Sequence, residues 1–297
     1  MSIDFKARSD YAVFSTHYPY LLDNYRRVND YSRSIARSNS FHPQFEDASQ
    51  ITYAYNTKPS ERILEPEEAM ADHDEVMEYE QMVQGLAHHI VINKSFVKEA
   101  VNLGVTEGKI LDIGCGEGTI ASMLFKENES YEVYGIDLSE NMIEKAEEIN
   151  KKEGLRGKIN YDVGDVSRLP YSDGYFDLAV SNHLLHHLPD RAKMVEVLKE
   201  IQRVTKSDGA IFVKDICRPE NEEKLVEYAA KFGTVYPEGL QKEIYLNSIQ
   251  AGMSFEEWKE LISVSGLLSG IGVELKEVYH LDCPTHLLFV KRSLNVE

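Results

Sequence analysis

The sequence ILDIGCGEG, residues 110–118, joins a short apolar run to a glycine-rich turn. The run is typical of a buried strand, and the residues after the turn have a helical pattern. Glycines let a chain turn sharply and let its backbone approach a ligand where a Cβ would clash. Because ligands of open parallel sheets bind at the carboxyl ends of the strands, this stretch predicts a ligand-binding turn. A tight turn without a ligand is the alternative interpretation.

The spacing of the glycines separates this turn from a dinucleotide site. A dinucleotide fingerprint requires G-x-G-x-x-G, whereas the third position after Gly116 is Thr119. Asp112 lies inside the turn, where its charge would repel a pyrophosphate but can pair with an ammonium group. The turn therefore argues against a dinucleotide.

Outward from this turn, strand and helix patterns alternate along the chain. The predicted strands are 109–113, 131–136, 159–163, 176–181 and 210–215. Amphipathic helices are predicted at 140–152, between the second and third strands, and at 192–205, between the fourth and fifth. Such alternation builds an α/β fold with a parallel sheet and helices on both faces.

Helical patterns also precede this region, and a hairpin follows it. Two helices are predicted before the first strand, one ending at 91 and the next covering 93–103. Another helix is predicted to begin after an N-cap at Ser254. The strand-like runs 273–281 and 286–292 are so close in sequence that they must pair antiparallel.

Carboxylates stand at the ends of the second and third strands as well. Asp137 can accept hydrogen bonds from both hydroxyls of a ribose. Its alternative role is the N-cap of the following helix, which Ser139 fills better. Asp165 can accept from an exocyclic adenine amine, and Leu138 and Val166 offer apolar surface to the base. Three acidic strand ends in succession favour a nucleoside-type ligand.

Four segments, taken in order, resemble the motif series of class I S-adenosylmethionine-dependent methyltransferases. They are ILDIGCGEG, YGIDLSENMIEKA, VGDVSRLPYSDGYFDLAVSNHLLHHLPD and IQRVTKSDGAIFVKD, which together span about residues 105–216. The resemblance implies a Rossmann-like, seven-stranded, mostly parallel sheet of order 3-2-1-4-5-7-6, with strand 7 antiparallel. The terminal hairpin fits this topology.

The resemblance also implies S-adenosyl-L-methionine as the cofactor and assigns residues to its parts. The residues implied to contact the methionine moiety are Asp112, Gly114 and Gly116, and the residue implied to contact the ribose is Asp137. Those implied to contact the adenine are Leu138, Met142, Asp165 and Val166. Those implied to lie beside the sulfonium are Ser181, Asn182 and His183. Tyr79 belongs to a segment that commonly folds over the cofactor in this family.

Three histidines, His183, His186 and His187, follow the fourth strand and are the candidate catalytic residues. Histidine titrates near neutral pH, so any of them can act as a general base. The alternative is that His186 and His187 support the loop. No metal site is expected, because adjacent residues rarely aim at one ion. Arg218 either pairs with a carboxylate of the acceptor or begins a helix.

Residues 1–75 differ from the rest of the chain and hold seven of its 17 tyrosines. They are predicted to form an N-terminal extension that acts as a lid over the acceptor or as a strap for a homodimer. Residues 76–297 form the predicted methyltransferase domain, with an acceptor-side insertion at about 217–255.

The composition limits the partners and the location that can be expected. The formal net charge of -18 argues against nucleic acid, and no apolar run approaches the ~20 residues of a membrane span. Three scattered cysteines predict a reducing, cytoplasmic location. The function predicted is methyl transfer to O, N or S of a small-molecule acceptor. The alternatives are a peptide or other macromolecular acceptor, and a non-catalytic subunit that binds the cofactor.

Overall fold

A computed structural model of the protein describes residues 62–64, 87–219, 240–267, 273–280 and 283–291. Several sequence predictions lie outside these residues. They are the extension 1–75 apart from 62–64, the residue Tyr79, and positions 220–239 of the predicted insertion.

The described elements alternate between helix and strand, as the pattern predicts. The helices are α1 (Ala87–Val101), α2 (Thr119–Glu127), α3 (Glu140–Lys152), α4 (Arg191–Val204), α5 (Leu240–Ala251) and α6 (Phe255–Ser265). The strands are β1 (Gly108–Ile113), β2 (Tyr131–Asp137), β3 (Ile159–Val163), β4 (Phe176–Asn182), β5 (Thr205–Ile216), β6 (Val273–His280) and β7 (Cys283–Lys291). A 3₁₀ turn, Leu185–His187, follows β4.

The strands are arranged in the order β3-β2-β1-β4-β5-β7-β6. Strands β1 to β5 pair in parallel, and β7 runs antiparallel to both β5 and β6. The predicted α/β class with a parallel sheet is thereby confirmed. Ile113 pairs with Ile136, and Asp137 with Val163, so the carboxyl ends of β1, β2 and β3 meet at one edge.

Two apolar cores cover the two faces of the sheet. Successive strand residues point to opposite faces, so Leu111 belongs to one core while its neighbour Ile110 belongs to the other. The first core includes residues of α4 and α6, among them Trp258. The second includes residues of α1 and α2, and in it Phe96 stacks on Phe212 with ring centroids 4.6 Å apart.

The helix boundaries differ from prediction by one or two residues at α4 and at the end of α1, and by more at the start of α1. The predicted break near residue 92 is wrong, because α1 continues through it from Ala87 to Val101. Asn93, a residue type that favours helix starts, is instead 9% exposed and hydrogen-bonds Asn182 of β4. The N-cap at Ser254 is confirmed, and it forms a capping box with Glu257.

Candidate functional site

The three glycines after β1 all adopt left-handed backbone angles. Their φ values are +68° at Gly114, +51° at Gly116 and +76° at Gly118. A Cβ on Gly114 would lie 2.7 Å from Leu184, and one on Gly118 would lie 2.2 Å from the Tyr161 hydroxyl. A Cβ on Gly116 would meet no described atom within 4 Å. The outer glycines therefore permit packing, whereas no described residue packs against the Cβ position of Gly116.

The carboxylate of Asp137 ties the end of β2 to this turn. Its Oδ2 accepts from the Gly116 N–H at 2.9 Å, and its Oδ1 accepts from the Ser139 N–H at 3.0 Å. Ser139 is the N-cap of α3, as predicted, because its hydroxyl accepts from the Met142 N–H. Since a carboxylate has about four acceptor positions, Asp137 can still receive a ligand's hydroxyls.

Asp112 is buried directly beneath the glycine turn, and its side chain is 1% exposed. Burial raises its pKa to about 7, although the Ala121 N–H in the first turn of α2 acts in the opposite direction. Among the described residues, its Oδ2 has no hydrogen-bond partner. A buried acceptor of this kind suits an ammonium group, which supplies both charge and N–H donors.

The residues predicted to face the adenine differ in how much surface they offer. Leu138, next to Asp137, is 71% exposed, which is unusual for a large apolar residue at a strand end. Met142 and Val166 are buried, and Val166 belongs to the core on the α4 side of the sheet. Of these three apolar residues, only Leu138 presents open surface.

Asp165, at the end of β3, is held by local partners. Its Oδ1 accepts from the N–H and the hydroxyl of Ser167, and its Oδ2 accepts from Lys193 at 3.1 Å. Partial burial raises its pKa, but the bonds to Ser167 and Lys193 outweigh burial and leave the pKa below its usual value. Asp165 is therefore an anion that already carries a counter-charge.

Ser181 and Asn182 end β4 beside the glycine turn. The Ser181 hydroxyl is fully buried and donates to the Ile113 carbonyl at 3.0 Å, which fastens β4 to β1. The Asn182 amide donates to the Asn93 side chain of α1 at 3.4 Å. In the part of the chain that the structure describes, the Asn182 Oδ1 is buried and has no partner.

His183 has a strained backbone and a buried ring nitrogen. Its φ is 62°, a value that favours glycine and costs other residues about 1–3 kcal/mol. Its N–H donates to the Lys214 carbonyl at 2.8 Å. Its Nε2 is buried with no hydrogen-bond partner among the described residues. Burial, assisted by the charge of Lys214, lowers its pKa well below 6.5, so the imidazole is neutral near pH 7.

His186 is built into the turn that follows β4. Its ring Nδ1 lies 2.5 Å from Oδ1 of Asp215, whose Oδ2 accepts from the N–H groups of Leu185 and His186. Burial raises the pKa of Asp215, but His186 and the Ile216 N–H lower it by more, so Asp215 is ionised. These contacts match the supporting role that the sequence left open for His186. The ring of the exposed His187 lies 4.0 Å from that of His186.

Sequence reasoning missed the partners that hold this turn. Asp215 stands near the carboxyl end of β5, and the same signal of an acidic strand end identified Asp112, Asp137 and Asp165. Lys214 is 1% exposed, and its Nζ lies 5.9 Å from the Phe96 ring centroid. No sequence signal indicates it, because a lysine within a strand ordinarily faces solvent.

Arg218 pairs with a carboxylate of the chain itself. It is 4% exposed, and its Nη2 lies 2.6 Å from both carboxylate oxygens of Glu257 in α6. Its Nε donates to the Gly252 carbonyl at 3.0 Å. Its carboxylate partner is thus Glu257 of the chain itself.

The described part of the chain contains no group of three or more His, Cys, Asp or Glu side chains that could hold a metal ion. It also contains no helix of the length and apolarity that a membrane span requires.

Comparison with known proteins identifies the family. Residues 105–261 match a family model described as a methyltransferase domain, so the chain belongs to this family. The match runs from just before β1 into α6. Together with the related proteins below, it identifies a class I S-adenosylmethionine-dependent methyltransferase.

Individual curated relatives match over 35–38% of this chain. Methyltransferase GfsG of Streptomyces halstedii is 35% identical over 115 residues, which are 38% of this chain and 40% of the relative. Ajmaline N-methyltransferase of Rauvolfia serpentina is 35% identical over 104 residues, which are 35% of this chain and 34% of the relative. The chain thus spans 40% or less of these curated relatives.

Solved structures share the fold over a longer stretch. The plantazolicin methyltransferase BpumL, in complex with a monoazolic desmethylPZN analog and S-adenosylhomocysteine (SAH), superposes with a TM-score of 0.59. At 15% identity it covers 76% of this chain and 93% of its own.

Proposed function

We propose that this protein transfers a methyl group from S-adenosylmethionine to a small-molecule acceptor at the carboxyl ends of β1, β2 and β4. The observation that carries the proposal is the link between Asp137 and Gly116. It holds a strand-end carboxylate and an open glycine backbone at the same edge of the crevice, 2.9 Å apart. The carboxylate fits ribose hydroxyls, and the space above Gly116 fits a close-lying methionine moiety.

The remaining contacts follow from the chemistry of each side chain. Asp112 would hold the ammonium group, since its buried Oδ2 lacks a partner among described residues. Leu138 would cover one face of the adenine with its exposed side chain. By motif position, Gly114 would line the methionine moiety, and Met142, Asp165 and Val166 would line the adenine. Ser181 fastens β4 to β1 beside them.

The acceptor would lie against Asn182 and His183, at the carboxyl end of β4, the strand that pairs with β1. S-adenosylmethionine, when bound, supplies a methyl group activated by a sulfonium. The protein's contribution is positioning, because an acceptor held in line near ~3 Å needs little further assistance. A neutral His183 can accept a hydrogen bond from a hydroxyl or amine at Nε2, while its low pKa keeps a competing positive charge out of the crevice.

A small-molecule acceptor agrees with the composition and with a named relative. Ajmaline, in the name of one relative, is that protein's methyl acceptor. The net charge of -18 opposes approach to a polyanion such as RNA.

The test is a transfer assay on a fractionated cell extract. The full chain is incubated with S-adenosylmethionine labelled in the methyl group, together with either the small-molecule or the macromolecular fraction. We expect label in a product from the small-molecule fraction and SAH binding in calorimetry. Label in the macromolecular fraction alone would refute the acceptor class, and absence of SAH binding would refute the activity itself.

A further inference from the structure

Arg62 joins two parts of the protein that are distant in sequence. Its Nη2 donates to the carbonyls of His186 and Leu188 at 2.7 and 2.6 Å, in and just after the turn that follows β4. Its Nε donates to the Ala251 carbonyl at 2.6 Å, at the end of α5. One guanidinium therefore bridges the turn that bears the histidines and a helix about 60 residues later in the chain.

At α5, the segment 62–63 acts as a helix cap. The last carbonyls of a helix lack donors within it, and a positive charge there is favourable. Arg62 supplies a donor to Ala251, and the backbone N–H of Ile63 donates to the Gln250 carbonyl at 3.2 Å. The end of α5 is thus completed by a residue far upstream.

At the turn after β4, Arg62 and Asp215 form hydrogen bonds with complementary backbone groups. Asp215 accepts from the N–H groups of Leu185 and His186 and contacts the His186 ring. These bonds satisfy the donors of the turn, whereas Arg62 satisfies its carbonyls. The turn is therefore fixed from two sides, by β5 and by Arg62.

We infer that Arg62 is a positioning residue for methyl transfer, which sets the turn after β4 and the end of α5 at a fixed separation. The inference rests on the proposed function, because these two elements are the wall next to His183 and part of the predicted acceptor-side segment 217–255. The described bonds of Arg62 go to the turn after β4 and to the end of α5, both of which belong to the proposed acceptor side.

The three carbonyls require arginine rather than any cation. A guanidinium presents its N–H donors in a planar fork, and here two of its nitrogens serve three fixed oxygens. A lysine ammonium is a compact charge on a flexible stem and cannot reproduce this fork. The Arg62→Lys variant keeps the positive charge and removes the planar set of N–H donors.

The experiment compares the full-length wild type with Arg62→Ala, Arg62→Lys and the control Arg191→Ala. Arg191 lies at the start of α4 with a half-exposed side chain that pairs with Glu260 on the surface. We expect both Arg62 variants to bind SAH within threefold of the wild type. Their transfer of labelled methyl to the small-molecule fraction should fall at least tenfold, whereas Arg191→Ala should transfer at the wild-type rate.

Hydrogen–deuterium exchange supplies a readout that needs no acceptor. Both Arg62 variants should exchange faster in the peptides covering 184–190 and 245–253 together, and Arg191→Ala in neither. Faster exchange in only one peptide, full transfer by Arg62→Lys, or a loss of SAH affinity that parallels the loss of transfer would each overturn the inference. A wild type that fails to bind SAH would refute the proposed function instead. Faster exchange in both peptides of the Arg62 variants would still show that Arg62 links the turn to α5.

Discussion

The two halves of the crevice are built in different ways. At the ends of β1 and β2, a carboxylate binds backbone N–H groups, as Asp137 does with Gly116 and Ser139. At the ends of β4 and β5, buried side chains bind each other, as His186 does with Asp215. In both halves a carboxylate accepts from backbone N–H groups, but in the second half that carboxylate, Asp215, also pairs with a buried ring.

This difference places the stability of the protein and its chemistry at different sites. Backbone turns keep their shape when a ligand leaves, so the first half can expose Leu138 and still hold its form. Removing one member of a buried hydrogen-bonded pair is strongly destabilising, because the groups that bonded to it remain buried without a partner. We therefore expect substitutions in the second half to act on folding, and those in the first half to act mainly on cofactor binding.

The largest effect is expected for Asp215→Ala. The substitution deprives the His186 ring and three backbone N–H groups of their acceptor inside the protein. It should lower the free energy of unfolding by about 3–5 kcal/mol, since a buried donor left without an acceptor costs about 1–3 kcal/mol. Denaturant titration followed by circular dichroism measures this change.

The matched control is Asp173→Ala, which removes an aspartate from a surface pair with Arg203. The Asp173 side chain is 83% exposed. Its loss should change the free energy of unfolding by at most about 1 kcal/mol. Equal effects of the two substitutions would mean that the buried pair contributes no more than a surface pair.

The second effect concerns Asp137→Ala. SAH should bind less tightly by about 1.5–3 kcal/mol, since the ribose hydroxyls lose a charged acceptor and the Gly116 N–H loses its partner. Calorimetric titration measures the affinity for SAH. The comparison is Asp165→Ala, at the end of the next strand. An unchanged affinity for Asp137→Ala would remove the ribose assignment.

The same contrast explains which features could be predicted from sequence. The glycine turn, the Ser139 cap and the strand-end aspartates lie within short motifs, in which neighbouring residues determine the geometry. The parallel sheet follows from strand and helix periods alone. Asp215 reaches His186 across 29 positions and Arg62 reaches it across 124, so no local pattern reveals these contacts. The α1 boundary was missed because burial against β4 outweighed the helix-start preference of Asn93.

The third effect is a pair of opposite pH dependences. The His183 pKa is lowered by burial, so the folded state resists a proton that the unfolded chain takes up near pH 6.5. Its contribution to stability is complete above pH 6.5 and declines by at most about 1.4 kcal/mol per unit as pH falls below it. The Asp112 pKa is raised from 3.8 to about 7, so its contribution is instead lost as pH rises through that range.

Single variants separate these two contributions. His183→Asn keeps a residue that tolerates positive φ and should flatten the decline below pH 6.5. Asp112→Asn should flatten the decline between about pH 4 and 7. Denaturant midpoints measured from pH 5 to 8 give both slopes. A His183→Asn curve parallel to that of the wild type would contradict a buried neutral imidazole.

The smallest effect, expected for Leu138→Ala, separates binding from folding most cleanly. Leu138 is 71% exposed, so its removal should change the free energy of unfolding by no more than about 0.5 kcal/mol. If its side chain covers the adenine, SAH binding should weaken by about 0.5–1 kcal/mol, as expected for partial burial of a leucine. Val264→Ala on α6 is the control, because Val264 is also largely exposed, at 60%, and lies away from the glycine turn. Weaker SAH binding by Leu138→Ala alone, with both melting temperatures unchanged, would show that this leucine serves the ligand and not the fold. Equal binding by the two variants would assign the adenine to another surface.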